Sequence, residues 1–545
     1  MSRTLRGFSP ALLALSLALS LALSTGVPAG ASTATRNRPV QTQRHFSPAQ
    51  ARGLLKRAQH QLRVVGSTHL ARSHGAPGSG PDLTLTLRDL SRARSALGPA
   101  DRRAADALLA RPTSRSGGDP VKYGSVPYRT YCPATGHFCI HWVSKGVNAI
   151  ATTDSDHDGI PNYVERVYAT MAYVWSFEVG RLGYRAPLSD KASVGHLRGN
   201  TNYKLDVYLA ELGNKGLYGY CAPEGSVDVH QLPGYCVLDN NYSRAEYGTA
   251  NGLLPLRVTA AHEFFHAVQF AYDVDEDSWF MEGTATWVED EAFSSVNDNY
   301  QFLSYSPLTF PSLPVDFTTY LHRYGAWIFF RYASETQGRT VVRRMWEAAD
   351  ADATNRYSLQ AIEDVIGTAG WPAFFTEFAR WNTLSTGTYR ERTGYPAPAY
   401  ATSTRLDTGN TSVTYTTPSP GLRHLSAAHV RVLPAAGLPH SQHLQVDVDA
   451  PDTSRGSTAV VQVRPRDGSA PQVLPVVLDA AGNGSRVVTF DPSTVSSVVL
   501  TMVNTSAAMT DCGNVFGADG YPRYTCAGHG VYDSGIFSMN AHLVP

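Results

Sequence analysis

The chain has 545 residues, of which 43% are hydrophobic and 17% are charged. At about 150 residues per domain, this length suggests roughly three to four structural units, and the composition excludes a disordered polymer. Lysine plus arginine and aspartate plus glutamate both number 46, so the formal net charge is zero. A neutral chain carries no overall electrostatic signature of nucleic-acid binding or of attachment to an anionic membrane.

The N-terminus is predicted to be an export signal. Arg3 and Arg6 precede an apolar run over residues 11–23, and Ala29-Gly30-Ala31 provides the small residues that signal peptidases accept. The run is shorter than the ~20 apolar residues of a membrane span, although a short N-terminal anchor is the alternative. We therefore expect residues 1–31 to be removed and the mature protein to be secreted and extracellular, without an integral membrane segment.

The six cysteines fall into three pairs that are close in the sequence: Cys132 and Cys139, Cys221 and Cys236, and Cys512 and Cys526. In an oxidising compartment three local disulfides are the simplest assignment, although six cysteines allow fifteen pairings. A cysteine-based zinc site is the weaker alternative, because the chain contains no Cys-x-x-Cys.

Residues 32–118 are rich in arginine and alanine and contain no cysteine. Helical periodicity over residues 48–65 and 83–109 is interrupted by a Gly/Ser/Pro stretch at residues 73–81. This part of the chain is predicted to be a helical extension. A removable pro-segment is an equally good interpretation.

Residues 399–545 differ in character from the preceding sequence. Alternating apolar and polar runs at residues 443–448, 459–463 and 496–503 are separated by turns rich in Gly, Pro and Asp. This spacing is typical of a small antiparallel β-sandwich. Such a domain would bind substrate or a surface, or would shield the rest of the protein.

Residues 258–270 are predicted to form a helix, since no Pro or Gly interrupts them. His262 and His266 are four residues apart and therefore leave one face of that helix one turn apart. Two nitrogens so placed can meet one Zn²⁺ at ~2.0–2.1 Å, and the neighbouring Glu263 can take a proton from water. His-Glu-x-x-His alone is a modest signal, because surface helices and core histidines produce chance matches.

A second predicted helix, residues 277–289, strengthens this interpretation. It follows an acidic loop, and its Glu282 comes sixteen residues after His266. An antiparallel helix pair would bring Glu282 back over the two imidazoles as a third ligand and leave the fourth position for water, as a catalytic zinc requires. Glu289 lies two turns further along the same face, where it either orients a ligand or is solvated.

His-Glu-x-x-His followed by Trp-x-x-Glu-Gly-x-Ala resembles the gluzincin metallopeptidases. The chain most resembles secreted bacterial proteins described as metalloproteases that combine this motif with an Asp-x-Asp-x-Asp-Gly-Ile-Pro loop. The resemblance covers about residues 119–395. It implies an α+β, thermolysin-like zincin domain, mainly helical, over residues 119–398, with the active-site helix beneath a small β-sheet. It also implies that His262, His266 and Glu282 are the zinc ligands and that Glu263 is the general base.

The gluzincin resemblance further implies a Tyr or His that stabilises the oxyanion, and removing one such donor typically costs about 10²–10³ in rate. Residues 320–327 resemble the helix start at which aminopeptidase relatives carry a Tyr three residues before Gly. That position is His322 in this chain, and Tyr320 and Tyr324 are neighbours that can substitute. Aromatic packing is the alternative role for each of them.

Residues 154–165 match the calcium-loop pattern D-x-[DN]-x-[DN]-G-x5-E in full. We expect a helix to follow from about Asn162 to Leu182. Extracellular calcium fills even sites of about 10⁻⁴–10⁻³ M, so the loop is predicted to be a structural staple and not a sensor. An empty acidic turn is the alternative. The six expected calcium ligands are Asp154, Asp156, Asp158, the carbonyl of Ile160, Asn162 and Glu165.

Together these features predict a secreted, monomeric metallopeptidase that uses Zn²⁺ and Ca²⁺, acts on proteins or peptides and binds no nucleic acid. Zinc would polarise the scissile carbonyl, and Glu263 would activate the attacking water. The alternatives are a non-catalytic, calcium-stabilised extracellular binding protein that keeps a structural zinc, and a zinc hydrolase of a non-peptide substrate. Glu263 argues against the first, because a structural site needs no base.

Overall fold

The computed structural model describes residues 46–63, 83–113, 121, 123–189, 204–225, 229–248, 251–319, 321–384, 388–391, 393–517 and 522–545. The predicted export signal and Tyr320 lie outside these described residues. The α-helices are α1 (Pro48–Gln61), α2 (Leu83–Ala93), α3 (Pro99–Leu108), α4 (Asn162–Trp175), α5 (Arg244–Tyr247), α6 (Leu253–Phe270), α7 (Ser278–Phe293), α8 (His322–Gly325), α9 (Trp327–Gln337), α10 (Val341–Ala349), α11 (Ser358–Ile366) and α12 (Trp371–Asn382). The strands are β1 (Tyr128–Tyr131), β2 (Phe138–Val143), β3 (Leu205–Ala210), β4 (Gly219–Pro223), β5 (Gly234–Asp239), β6 (Thr402–Leu406), β7 (Ser412–Thr416), β8 (Ser426–Pro434), β9 (His443–Asp449), β10 (Ser457–Pro465), β11 (Gln472–Val476), β12 (Asn483–Thr489), β13 (Val495–Asn504), β14 (Met509–Thr510), β15 (His529–Gly530) and β16 (Ser538–Val544).

The first sheet has five strands in the order β1-β2-β3-β5-β4. Strands β2, β3 and β5 run parallel to one another, and β1 and β4 are antiparallel strands at the two edges. Helices α1–α3 share an apolar core with one face of this sheet, while α4 and α6 pack against the other face. Every residue of β3, β4 and β5 is consequently buried, as expected for a sheet covered on both sides.

The predicted fold class, a mainly helical thermolysin-like zincin domain with a helical extension and an all-β sandwich-like domain, is wrong. The described chain is a mixed α/β structure that contains several β-sheets. Strands β3, β4 and β5 lack the alternation of apolar and polar residues by which half-buried strands are identified, because both faces of the sheet are covered. The predicted domain boundaries at residues 118 and 398 remain predictions.

The C-terminal part of the chain forms two larger sheets. One has the strand order β11-β10-β13-β8-β6 and the other β12-β9-β16-β7. Their apolar side chains form one core, to which Val430 and Val461 contribute from the first sheet and Leu444 and Val446 from the second. Burial alternates along β9 because only one face of its sheet meets that core.

Helices α6 and α7 lie in the middle of the largest core, and most of their residues are buried. Buried residues therefore cover several faces of each helix instead of one stripe. A Cβ added to Gly283 would lie 2.8 Å from the ring of Phe330. The glycine at this position therefore allows α7 to approach α9 closely.

The start of α7 is hydrogen-bonded to a segment near the C-terminus. Asp277 accepts hydrogen bonds from the backbone N–H of Cys526 and from the hydroxyl of Ser358, both at 2.7 Å. The indole Nε1 of Trp279 donates to the hydroxyl of Thr525 at 3.0 Å. Because Glu282 follows one turn later on α7, these contacts help to set its position.

Three disulfides join Cys132 to Cys139, Cys221 to Cys236 and Cys512 to Cys526. The pairing predicted from their proximity in the sequence is confirmed. Among the residues that the structure describes, none of the helices has the length and apolar character needed to cross a bilayer.

Candidate metal centre

The imidazoles of His262 and His266 meet the carboxylate of Glu282 in the core of the protein. Nε2 of His262 lies 3.1 Å from Nε2 of His266 and 3.2 Å from Oε2 of Glu282. Nε2 of His266 lies 3.7 Å from the same carboxylate oxygen. Ligand atoms about 2.0–2.1 Å from a tetrahedral Zn²⁺ are about 3.3 Å apart, so the three observed separations fit such an ion.

Two local features of the chain bring these groups together. His262 and His266 are one turn apart on α6, so their rings leave the same face of the helix. The connection over residues 271–277 is short, and α7 begins at Ser278, so Glu282 comes after only one turn of α7. The predicted meeting of the three side chains is therefore present.

Each imidazole is held through its second ring nitrogen. Nδ1 of His262 donates to Oε1 of Glu289 at 2.6 Å, and Nδ1 of His266 donates to Oε1 of Gln269 at 2.7 Å. These contacts leave both Nε2 atoms facing Glu282, the arrangement in which histidine presents a lone pair to a metal. Of the two roles considered for Glu289, orientation of a ligand fits the structure.

Gln269 also connects the two helices. Its Nε2 donates to the carbonyl oxygen of Met281 at 2.9 Å and to the hydroxyl of Thr284 at 3.1 Å. The amide therefore orients His266 while it fixes the turn of α7 that carries Glu282. This role of Gln269 was not predicted from the sequence, although position 269 lies about one turn after His266 on the same helix.

The centre is buried and places two carboxyl groups beside two imidazoles. His266 and Glu282 are each 1% exposed. Burial opposes ionisation of Glu282, but hydrogen bonds from His262 and His266 outweigh it and lower the pKa of the carboxyl group. Burial also disfavours a charged His262, but Glu282 and Glu289 outweigh it and raise the pKa of that imidazole. Two carboxylates around two imidazoles therefore favour a positive charge between them, which a divalent cation supplies.

Glu263 lies next to this cluster and is 5% exposed. Its Oε2 accepts a hydrogen bond of 2.9 Å from the hydroxyl of Thr84 on α2, and that hydroxyl accepts one of 2.9 Å from the backbone N–H of Cys221. Burial raises the pKa of Glu263 against the opposite effects of His266 and His262. A raised carboxyl pKa suits a general base that works near neutral pH.

The two residues predicted to stabilise an oxyanion occupy different surroundings. The ring of Tyr324 stacks near that of His262, with 6.1 Å between the centroids and 21° between the planes. Nε2 of His322 instead donates to the carbonyl oxygen of Pro314 at 3.0 Å, and burial lowers the pKa of this imidazole. Of the two, Tyr324 is the one that borders the metal centre.

The predicted calcium loop brings three carboxylates together. Oxygen atoms of Asp154, Asp156 and Asp158 lie within 4.8 Å of one another. The backbone N–H of Gly159 donates to Oδ2 of Asp154 at 3.0 Å, and Gly159 has a φ of 91°. The loop closes tightly here because glycine adopts a positive φ without a Cβ clash.

The remaining predicted calcium ligands follow this turn. The backbone N–H of Ile160 donates to Asp158 at 2.7 Å, and Oδ1 of Asn162 accepts from the N–H of Ser155 at 2.9 Å. Slight desolvation and the nearby aspartates raise the pKa of Glu165. Helix α4 begins at Asn162, as the loop pattern predicts.

A third group of ligand-type side chains contains His230, Asp273 and Asp275. Oδ2 of Asp275 lies 2.8 Å from Nδ1 of His230. The same carboxylate receives Nε and Nη2 of Arg92 at 2.8 and 2.5 Å. In this group, therefore, Arg92 of α2 supplies the positive charge that a metal ion would otherwise provide.

Residues 119–369 match a sequence family described as a family of unknown function, DUF6055. No curated protein matches the chain. One solved structure that shows similarity is a glycoside hydrolase family 115 4-O-methyl-α-glucuronidase with specificity for decorated arabinogalactans. It is 10% identical over 54% of this chain and 38% of its own length, with a TM-score of 0.13. A similarity at that level supports no conclusion about fold or function.

Proposed function

We propose that this protein is a secreted zinc metallopeptidase of the gluzincin type. The observation that carries the proposal is the arrangement of His262, His266 and Glu282, whose ligand atoms are 3.1–3.7 Å apart. The ion assigned from these donors is Zn²⁺, because two imidazoles and one carboxylate are a common catalytic zinc set. Glu263, beside this cluster, adds the general base that hydrolysis requires.

Each residue of the centre has a defined task in this proposal. His262, His266 and Glu282 would hold the metal, which when bound supplies Lewis acidity toward a carbonyl oxygen and a water molecule. Glu263 would accept the proton of the attacking water and deliver it to the departing amine. Tyr324, which borders His262, would donate a hydrogen bond to the substrate carbonyl oxygen as that oxygen gains negative charge.

We further propose that the loop over residues 154–165 binds Ca²⁺ and thereby fixes the start of α4. The grouping of Asp154, Asp156 and Asp158 supports this assignment, since oxygen ligands are the ones that calcium prefers. Secretion is proposed from the export signal predicted at the N-terminus, and the three disulfides are consistent with an oxidising compartment.

One observation favours a second candidate, a binding protein with a structural metal. The ligands His266 and Glu282 are each 1% exposed, and Glu263 is 5% exposed, whereas a peptidase must admit its substrate. The same centre would also hydrolyse a non-peptide amide, because water activation does not depend on the rest of the substrate.

The substitution Glu263→Gln separates these candidates. A metallopeptidase retains one zinc per chain in this variant but loses about 10²–10⁴ in the rate of cleaving an unfolded protein. Glu347→Gln, on a side chain of α10 that is 45% exposed, is the matched control and should behave as wild type. If wild type, Glu263→Gln and Arg92→Ala, which breaks the ion pair between α2 and Asp275, all bind zinc and none cleaves any member of a broad peptide library, the binding-protein candidate replaces the peptidase.

A further inference from the structure

Helix α2 lies against β4, α6 and the loop that leads into α7, which it contacts at Cys221, Glu263 and Glu276, and we call the space between these three elements the groove. The hydroxyl of Thr84 bridges two elements of that groove: it accepts from the backbone N–H of Cys221 and donates to Oε2 of Glu263, both at 2.9 Å. Cys221 belongs to β4, which is the edge strand of its sheet. The hydroxyl of Thr84 is therefore hydrogen-bonded both to the edge strand of the sheet and to the proposed general base.

Two arginines on the same face of α2 form hydrogen bonds further along the groove. Thr84, Arg88 and Arg92 are spaced four residues apart and so share one face of the helix. Nη1 of Arg88 donates to the carbonyl oxygen of Glu276 at 2.8 Å, in the loop that leads into α7. Arg92 makes two parallel hydrogen bonds to Asp275 at 2.8 and 2.5 Å, the geometry that gives charged pairs their strength and specificity.

The opposite face of α2 is apolar and packs into the core beneath the sheet. Leu83, Leu87 and Leu90 belong to the same cluster as Tyr220 of β4 and the helices α1 and α3. All eleven residues of α2 are buried as a result. This apolar packing explains how a segment outside the matched sequence family, which begins at residue 119, remains docked in the groove.

We propose that α2 is an intramolecular inhibitor that keeps the metal centre closed until it leaves the groove. An extended peptide binds an open sheet by adding a strand to its free edge, and α2 blocks that edge at Cys221. The helix also occupies Oε2 of Glu263 through the hydrogen bond from Thr84. This inference rests on the proposed function in one respect, because the groove is a substrate groove only if the centre acts on peptides.

The docked helix accounts for part of the burial of Glu263, one of the observations that favours a structural metal. Glu263 is enclosed by its own helix on one side and by α2 on the other, through the contact with Thr84. Removal of α2 would leave Asp275 and His230 facing the same groove without the guanidinium of Arg92. The burial of Glu263 therefore depends in part on the docked helix.

The wild-type protein itself provides the first test. A fluorescent hydroxamate that ligates zinc should compete with α2 for the groove, because two ligands that cannot be bound together weaken each other's binding. With the zinc-loaded full chain, saturating hydroxamate should therefore speed hydrogen exchange of the backbone amides at residues 86–93. Bound hydroxamate with unchanged exchange in α2 would overturn the proposal.

A substitution provides the second test. Arg92→Ala removes a buried, charge-assisted pair and should raise the open population, and hence the rate of hydroxamate association, by about tenfold or more. Arg92→Lys should give an intermediate rate. Arg94→Ala is the matched control, since Arg94 pairs with Asp106 at the surface of the same segment. Asp275→Asn removes the negative charge that pairs with Arg92. This variant replaces Arg92→Ala in the test if Arg92→Ala does not fold.

The outcomes separate the two proposals. Faster hydroxamate association without peptide cleavage by any variant supports the inhibitor and removes the peptidase. Equal rates of peptide cleavage by wild type and Arg92→Ala support the peptidase and remove the inhibitor. Slower association in a zinc-loaded Arg92→Ala would show that α2 supports the centre, which also overturns the inhibitor.

Discussion

Nδ1 of His262 lies 2.6 Å from Oε1 of Glu289, and Nε2 of the same ring lies 3.2 Å from Oε2 of Glu282. Both carboxylates come from α7, so a single helix contacts the two nitrogens of one imidazole. Burial raises the pKa of Glu289 to about 7, although His262 acts in the opposite direction. A second carboxylate behind a ligating histidine fixes the ring and makes it a better donor to a metal.

Glu289→Gln should weaken zinc binding without breaking the fold. The amide keeps a hydrogen bond to His262 but removes the negative charge, and loss of such partners typically costs about 10–100-fold in metal affinity. Competition with a chelator of known affinity measures the effect. Glu347→Gln on α10 serves again as the control. An unchanged affinity in Glu289→Gln would show that the ring needs no charged partner.

Gln269→Ala should lower both zinc affinity and stability. The substitution leaves Nδ1 of the buried His266 ring without its acceptor and removes the hydrogen bonds that the amide of Gln269 gives to α7. A buried polar group that loses its partner typically costs about 1–3 kcal/mol. Chemical denaturation in the presence of EDTA reports the stability change without the metal, and zinc titration reports the affinity change. If affinity falls while metal-free stability is unchanged, Gln269 only orients the imidazole.

Calcium should stabilise the protein through the loop over residues 154–165. A site with a dissociation constant of about 10⁻⁴ M contributes about 2.7 kcal/mol when calcium exceeds that constant 100-fold. The thermal midpoint should therefore fall when EGTA replaces calcium, and Asp156→Asn should reduce the difference. Zinc content, measured in parallel, shows that the chelator has not emptied the other centre. Identical midpoints in calcium and EGTA would contradict the assignment.

His424 should make stability depend on pH in the alkaline range. Nε2 and Nδ1 of this buried ring contact Asp316 at 2.9 Å and Asp533 at 2.7 Å. Burial lowers the pKa of His424, but the two carboxylates outweigh it and raise the pKa to about 9. Because the folded pKa exceeds the unfolded value of about 6.5, the contribution is complete below pH ~6.5 and is lost as the pH rises through about 9. Its upper size is about 3 kcal/mol.

His424→Gln tests this assignment. The variant should lose about 3–5 kcal/mol near pH 6, because a buried carboxylate loses its charged partner, and its stability should change less than that of wild type between pH 6.5 and 9. His440→Gln is the control, since the side chain of His440 is 80% exposed beside Asp491. An equally steep decrease in His424→Gln would assign the pH dependence to another group.

Several features were predictable from the sequence because they depend on neighbouring positions. The four-residue spacing of His262 and His266 places both rings on one helical face whatever surrounds the helix. The disulfide partners are close in the chain, and α4 starts at Asn162 after a recognisable turn. Glu282 belongs to this group as well, since only a short connection separates α6 from α7.

Other features depend on residues that are far apart in the chain. Thr84 contacts Glu263 across 179 positions, Asp316 meets His424 across 108 positions, and Asp277 binds the N–H of Cys526 across 249 positions. No spacing rule links such residues, because they meet only after the sheets and helices have packed. Strands β3, β4 and β5 could not be located from the sequence for a related reason, since burial on both faces removes the alternation that marks a strand.

The sequence by itself determined the residue types and local geometry of the proposed metal centre and of the calcium loop. A helix repeats every 3.6 residues, so spacing alone brings ligands onto one face. Only the tertiary structure decided which second partners hold those ligands, that the sheet is covered on both faces, and that α2 covers the proposed base. These relationships arise from the packing of apolar surfaces and the pairing of buried charges, which the linear order of residues does not encode in any local pattern.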